Sequence, residues 1–283
     1  MKIIKTVTSA DNTKKYYFSV LDSSDAHIEA CLLKLIRYGY IICVSSQIGC
    51  SQKCKFCASG KSKLVRNLTA LEIQRQIQLI MEDNLFLQNE IIQVTYMGSG
   101  EPLNNYKNVF ESIDMVRDNY PNISKVNIST TCPQISRKCF EDIDWRKYCD
   151  FVHFQYSLHF TKDEERNRFL YYNLMKISEV IESLNRVSRL LNDTYKINYI
   201  PFDNLNDNEK CVEELKEIMH TTENAVLKIS EMCKIEGCSL LPSKSFEIFS
   251  TQVKKCIENV EIFRSDGMDV NAGCGQFYNE SIL

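Results

Sequence analysis

From residue 40 onward the chain repeats one unit, a short apolar run with strand character followed by a turn and a longer stretch with helical spacing. The strand-like runs extend from Tyr40 to Ser45, Ile91 to Tyr96, Lys125 to Ser129, Phe151 to Ser157, Lys196 to Ile200 and Ala225 to Ser230. Helical spacing fills the gaps. Thr69-Ala70-Leu71-Glu72 has the form of a capping box ahead of Ile73, Ile77 and Ile80, and further helices are expected from Tyr106 to Asp118, Lys176 to Asn192, Asn208 to His220 and Ser245 to Phe263. Strands alternating with helices imply a parallel sheet, here an α/β chain with six strand–helix units forming a partial (β/α)6 TIM-like barrel. Before it, the alternating segment from Lys15 to Leu21, the polar Asp22-Ser23-Ser24-Asp25 and the apolar run from His27 to Ile36 predict an N-terminal β-hairpin extension. With 283 residues, 44% of them hydrophobic, and no Pro/Gly-rich linker or internal repeat, one domain over 1–283 is expected. Its parts are a β extension over 1–38, a barrel core over 39–264 and a C-terminal segment over 265–283.

No stretch reaches the length of an apolar membrane span, and Met1-Lys2-Ile3-Ile4-Lys5-Thr6-Val7 lacks the apolar core of a signal peptide, so no membrane partner and a cytoplasmic location are expected. An odd count of 13 Cys then fits reduced thiols better than a disulfide framework. Cys31, Cys139, Cys149, Cys211 and Cys256 sit among apolar neighbours and are expected to act as small core hydrophobes. Cys50, Cys54 and Cys57 differ. Their CxxxCxxC spacing gathers three thiolates on one loop directly after the first barrel strand, where parallel barrels collect functional groups. Three thiolates can hold a [4Fe-4S] cube with one iron left open, or a structural zinc ion with a fourth ligand, although no second CxxC pair or nearby His completes a zinc site. Lys53, Lys55, Lys61, Lys63 and Arg66 surround this loop, either as a solvated face or as a basic mouth able to steer a polyanion despite the net charge of -3. Met97-Gly98-Ser99-Gly100-Glu101-Pro102 follows the second strand, either as an ordinary strand-to-helix turn or as a place where backbone approaches a ligand.

The CxxxCxxC loop resembles that of the radical S-adenosylmethionine (SAM) superfamily, and two remote segments narrow the resemblance to the RlmN/Cfr methyltransferases. They are Cys43-Val44-Ser45-Ser46-Gln47-Ile48-Gly49-Cys50 and Asp269-Val270-Asn271-Ala272-Gly273-Cys274-Gly275-Gln276. The likeness continues through Ser9, Asp11, Thr13, Lys15 and Phe18 of the extension, through Arg66-Asn67-Leu68-Thr69 with Glu72 and Gln76, and through Asp163-Glu164 with Arg166. It implies a radical SAM barrel whose Cys50, Cys54 and Cys57 bind a [4Fe-4S] cluster. SAM would be bound by Gly98, Gly100, Glu101 and Pro102 and by the strand ends carrying Ser129, Ser157 and His159. The implied reaction is C-methylation of an sp2 carbon, that of adenine in RNA (rRNA or tRNA), with a flavodoxin-like or ferredoxin-like electron donor. Cys274 would take a methyl group from one SAM, and a radical derived from a second SAM would abstract hydrogen from that methyl. Cys43 would later remove the proton from the former ring carbon, leaving a Cys43–Cys274 disulfide that needs reduction. For that role Cys43 is expected in a polar, partly exposed setting.

Several positions depart from the family. The resemblance implies an N-terminal accessory domain that grips RNA, whereas this sequence starts at the hairpin. Met232 stands where an Asn contacting SAM is usual, and Thr131-Cys132 stands where Ser-Gly is common. These changes touch pocket walls and leave two alternatives open: the same radical methyl transfer to a peptide or small heterocycle, or a nonenzymatic iron–sulfur protein.

Overall fold

The computed structural model describes residues 1–20, 27–35, 39–171 and 173–278. The expected hairpin turn at Asp22–Asp25 lies outside the described residues. The chain divides into two compact units, the first formed by Met1–Lys53, Cys57–Ser129 and Asp266–Leu283, the second by Cys54–Phe56 and Thr130–Ser265.

In the first unit, β1 (Lys2–Thr8), β2 (Lys14–Ser19), β3 (His27–Leu35) and β4 (Gly39–Cys43) pair antiparallel in succession. After the short ribbon of β5 (Gln47–Ile48) and β6 (Arg66–Asn67), α1 (Ala70–Asp83) crosses to β7 (Ile92–Tyr96), which pairs parallel to β4. Then α2 (Tyr106–Asn119) leads to β8 (Ile123–Thr130), parallel to β7. The start of α1 follows from the sequence: Thr69 and Glu72 form a reciprocal capping box, and Ile73, Ile77 and Ile80 face the core. Arg66 closes a two-pronged ion pair on Glu72, with contacts of 2.8 and 2.7 Å that hold its carboxyl below the usual carboxylate range.

The second unit contains α3 (Ser136–Asp142), β9 (Val152–Ser157), α4 (Asp163–Phe169), α5 (Ile177–Leu191), β10 (Tyr195–Tyr199), α6 (Glu209–His220), β11 (Ala225–Ser230), α7 (Phe246–Cys256) and β12 (Val260–Phe263). Its four strands pair in parallel in sequence order. All six expected strands are present and the fold is α/β with mainly parallel pairing. Besides the β5–β6 ribbon, two strands of the main sheet were not anticipated. The expected last helix stops at Cys256, Ile257 turns extended, and β12 adds a further parallel strand. At the other end, the extension has three strands because β1 pairs with β2; its mostly exposed face hides the alternation that marks a half-buried strand. No described helix is long and apolar enough to cross a membrane.

The extension holds the C-terminal segment within the first unit. Lys15 and Glu29, both almost fully buried, form an ion pair of 3.2 Å. Lys15 Nζ also donates to the Asn271 carbonyl at 2.8 Å, and Glu29 accepts the Tyr278 N–H at 2.9 Å. Ahead of this, Asp269 accepts from the Ser9 hydroxyl and the Ala10 N–H, while Asp11 accepts the Gly267 N–H at 2.6 Å. The N-terminal strands thus bind the segment carrying Cys274 at both ends.

In the second unit, fully buried Arg166 does comparable work. Its guanidinium donates to the carbonyls of Thr131 (2.8 Å), Leu158 (3.1 Å), Met175 (3.3 Å) and Ser157 (3.4 Å), and lies over the Tyr156 ring. One planar fork therefore fixes the strand end that carries Ser157 and His159.

Lys15→Met should lower unfolding free energy by about 3–5 kcal/mol, because it leaves the Glu29 carboxyl group buried without its lysine partner. Pairing it with Glu29→Met should recover much of that loss in denaturant titrations. The double variant should still show faster proteolysis near residue 271, because neither bond to the segment returns. Arg166→Lys should cost at least about 2 kcal/mol in the same titration, since three donors on a point ammonium cannot serve carbonyls set out for a planar fork.

Candidate active site

In the first unit, the cysteine loop and the glycine turn are joined by buried side-chain amides. Gln47 Oε1 accepts the N–H groups of Ser51 (3.2 Å) and Glu101 (3.0 Å), and its Nε2 donates to Asn67. Asn105 Nδ2 donates to the carbonyls of Ser46 and Leu68, and Gln76 satisfies both backbone groups of Ser45. Gly98 and Gly100 are required by protein packing: a Cβ on either would come within 2.7 Å of the Val44–Ser46 stretch, and Gly100 also has φ +111. Glu101 is buried and caps the turn that starts at Pro102, accepting the Leu103 N–H at 3.1 Å. Ser129 is buried near the end of β8.

Burial, and then the nearby charge of Cys57, push the Cys50 thiol well above its ordinary value. Cys50 Sγ accepts N–H groups from Gln52 and Gly100, and Cys57 Sγ accepts from Gly60 and Ser59. Donors aimed at sulfur suit the anionic thiolates of an iron–sulfur centre. The side-chain amide of Gln52, inside the loop, is buried with no hydrogen-bond partner, as expected of a group meant to face something bound. A cube places each cysteine on a different iron, so the sulfurs need not converge; among the described residues no three His, Cys, Asp or Glu converge on a single ion.

The C-terminal segment lies against the end of this loop. Ala58 N–H donates to the Gly275 carbonyl at 2.7 Å, Ser59 Oγ donates to the Phe277 carbonyl at 2.6 Å, and the charge of Cys274 is felt at Cys57. Cys274 is exposed, and its Sγ is 3.7 Å from Met97 Sδ. Met97 N–H in turn points to Cys43 Sγ. The polar, partly exposed setting expected for Cys43 is not found. The residue is buried in an apolar cluster with Cys31, Ala272 and Phe277, and its thiol pKa is raised by hydrogen bonding to Cys31 and by burial. Cys31, expected to be plain core, therefore touches a candidate catalytic sulfur. No local sequence pattern announces this contact, because it arises from the antiparallel register of β3 on β4, which sets the two residues directly opposite each other.

In the second unit, Cys54 sits in the Cys54–Phe56 segment, where Phe56 packs edge-on to His159 (4.9 Å between rings) and against Phe202. Lys55 N–H donates to the Phe169 carbonyl. Ser157 ends β9 and is buried. His159 has φ 55 and a buried Nδ1 without a hydrogen-bond partner. Burial, and then the charge of Arg166, lower its pKa to about 3, so it is neutral and offers an unpaired polar atom for a bound group. Cys132 also has a positive φ of 57, which explains why a glycine suits that position in the family. Met232 is buried. The basic mouth is smaller than expected, since Arg66 is committed to Glu72 and Lys55 lies over the Phe169 ring, while Lys53, Lys61 and Lys63 are exposed.

A family model described as the Radical SAM superfamily matches residues 44–217. The probable dual-specificity RNA methyltransferase RlmN of Finegoldia magna is 32% identical over 283 residues, covering 97% of this chain and 77% of that protein. The corresponding protein of Clostridium botulinum (strain Loch Maree) is 33% identical, covering 97% of this chain and 79% of its own length. Among solved structures, a radical SAM methyltransferase from Sphaerobacter thermophilus superposes with a TM-score of 0.85 at 24% identity, over 98% of this chain and 80% of that one, a likeness of fold. With the family model covering most of the chain and relatives 32–33% identical across 97% of it, the chain belongs to the radical SAM superfamily and, within it, to the RlmN family.

Proposed function

We propose that the protein is a radical SAM methyltransferase acting on an adenine ring carbon of RNA, with its two compact units working as one catalytic domain in the cytoplasm. All 13 cysteines are free thiols, which suits a reducing compartment. The relatives are named as RNA methyltransferases, and the family uses a [4Fe-4S] cluster and SAM. The observation that carries the reading is the docking of the Cys274 segment on the end of the cysteine loop through the 2.7 Å bond from Ala58 to Gly275.

In this reading Cys50, Cys54 and Cys57 hold the cluster. Gly98, Gly100, Glu101, Pro102 and Ser129 in the first unit, and Ser157 and His159 in the second, are the SAM contacts that the family resemblance implies; Gln52 Nε2 and Oε1 and His159 Nδ1 are buried polar atoms without partners in their own units. When bound, the cluster and SAM supply the methyl group and the one-electron hydrogen abstraction that an unreactive ring carbon requires. Cys274, exposed and flanked by Gly273 and Gly275, accepts the methyl on sulfur and carries it to the base. Attachment to the protein makes the attack on the ring effectively unimolecular. Cys43 then takes the proton from the substituted ring carbon. A thiol whose pKa is raised is a stronger base once ionised, so its buried setting favours proton removal when the charge is present. The bond from Cys274 to the methylene then breaks as the Cys43 and Cys274 sulfurs join in a disulfide; the proton held on Cys43 passes to the methylene, completing the methyl group, and the one electron left over would be given back to the electron-transfer chain that supplied it. Lys53, Lys61 and Lys63 steer the RNA, whose target base must be unstacked to enter.

Anaerobically reconstituted, reduced protein should form 5'-deoxyadenosine and methylated adenine from SAM and RNA. Cys274→Ala should abolish methylation, and Cys43→Ala should retain the RNA covalently on Cys274 in mass spectra. Failure to form 5'-deoxyadenosine with a fully assembled cluster would remove the reading. Lys61→Gln combined with Lys63→Gln should lower kcat/KM for RNA by roughly tenfold and flatten its salt dependence. Arg66→Gln should act instead on thermal stability, through loss of the Glu72 pair.

A further inference from the structure

In the first unit Cys43 touches one thiol directly and shares Met97 as a neighbour with a second. Through Met97 it is linked to exposed Cys274, while across the β3–β4 ladder it directly faces Cys31, with which it shares a hydrogen bond. Directly opposed residues on antiparallel strands have Cα atoms about 4.5–5.5 Å apart, inside the roughly 4.4–6.8 Å window for a disulfide. Both cysteines are free, and both belong to the apolar cluster that also contains Ala272 and Phe277 of the C-terminal segment. Cys31 is only 1% exposed. It is therefore shielded from reagents in solution yet in contact with the sulfur that, on the reading above, ends each turnover oxidised.

We propose that Cys31 is the resolving thiol of this site, exchanging with the Cys43–Cys274 disulfide to release Cys274 for its next methylation. The inference rests on the reaction proposed above. The Cys31 sulfur, having given up its proton, attacks the sulfur of Cys43; a Cys31–Cys43 bond forms and the Cys43–Cys274 bond breaks. The electron pair leaves on Cys274, which takes up the proton, so the exchange involves no net oxidation. A dithiol reductant then supplies two electrons and two protons to restore Cys31 and Cys43 as thiols. Exchange moves the disulfide from a pair that includes the exposed methyl acceptor to a pair inside the sheet. Cys274 thus becomes available before the external reductant has acted.

The test is peptide mapping of disulfides after acid quench and alkylation with N-ethylmaleimide. Reconstituted full-length protein given one equivalent of RNA and no dithiol should yield a Cys31–Cys43 link and alkylated Cys274. Cys31→Ser and Cys31→Ala should instead accumulate the Cys43–Cys274 link. Their later turnovers should slow about tenfold relative to the first at limiting dithiol, and recover as dithiol is raised. Methylated RNA accompanied by a Cys43–Cys274 link in the unaltered protein, with Cys31 alkylated, would overturn the proposal while leaving the methyl-transfer reading intact. A second arm needs no RNA. One equivalent of diamide added to the reconstituted protein should produce the Cys31–Cys43 link, and a stable Cys43–Cys274 link beside a free Cys31 would overturn the exchange whether or not any RNA is methylated.

Discussion

The placement of the C-terminal segment depends on one buried ion pair. Lys15 and Glu29 pair diagonally across β2 and β3 at 3.2 Å, and each spends a further hydrogen bond on the segment, at Asn271 and at Tyr278. The pair is costly to bury: Lys15 has a lowered pKa chiefly because of burial, and the attraction to Glu29 only partly offsets that. Apolar residues there would be at least as stabilising but would bind no chain. The charges are thus better explained by positioning, since they fix eight residues around Cys274 by two backbone contacts from a rigid sheet. Gly273 and Gly275 between those contacts leave the cysteine itself room to move.

A second constraint acts on the loops. The turn after β7 and the approach to Cys50 are irregular backbone packed together, where polar groups would otherwise be unpaired. Gln47, Gln76 and Asn105 supply the missing partners, so the path of the cysteine loop is set by side-chain amides and by glycines that permit close approach. The loop is therefore shaped before any cofactor contact is considered, which limits the reorganisation needed on binding.

Much of this was legible in the sequence because the signals were local. The six barrel strands, the Thr69–Glu72 cap and the triad are patterns within short windows. What was missed depended on pairing between distant segments. β1 has a largely exposed face and gains its identity from β2; β12 was hidden because Cys256 to Phe263 continues the apolar composition of α7. The likeness through Ser9, Asp11 and Lys15 was visible, yet its meaning was not, as their partners lie some 256 to 260 positions away. Arg66 illustrates the reverse error. A basic residue beside a functional loop reads as a ligand-steering charge, and only the fold reveals the carboxylate it already serves.

The different surroundings of Cys43 and Cys274 suit the separate roles proposed for them. Cys274 is exposed on a segment with glycines on both sides, a setting for a group that must visit both a methyl donor and a substrate. Cys43 is buried at the end of a strand, hydrogen-bonded to Cys31 and to the Met97 N–H, and cannot travel. The hydrogen bond to Cys31 and burial both push the Cys43 thiol up, so a proton delivered to this sulfur is held firmly and away from solvent. The contact that confines Cys43 also leaves its sulfur next to a second thiol, so the proton transfer and the disulfide exchange proposed for this position draw on one structural feature: the register of β3 on β4.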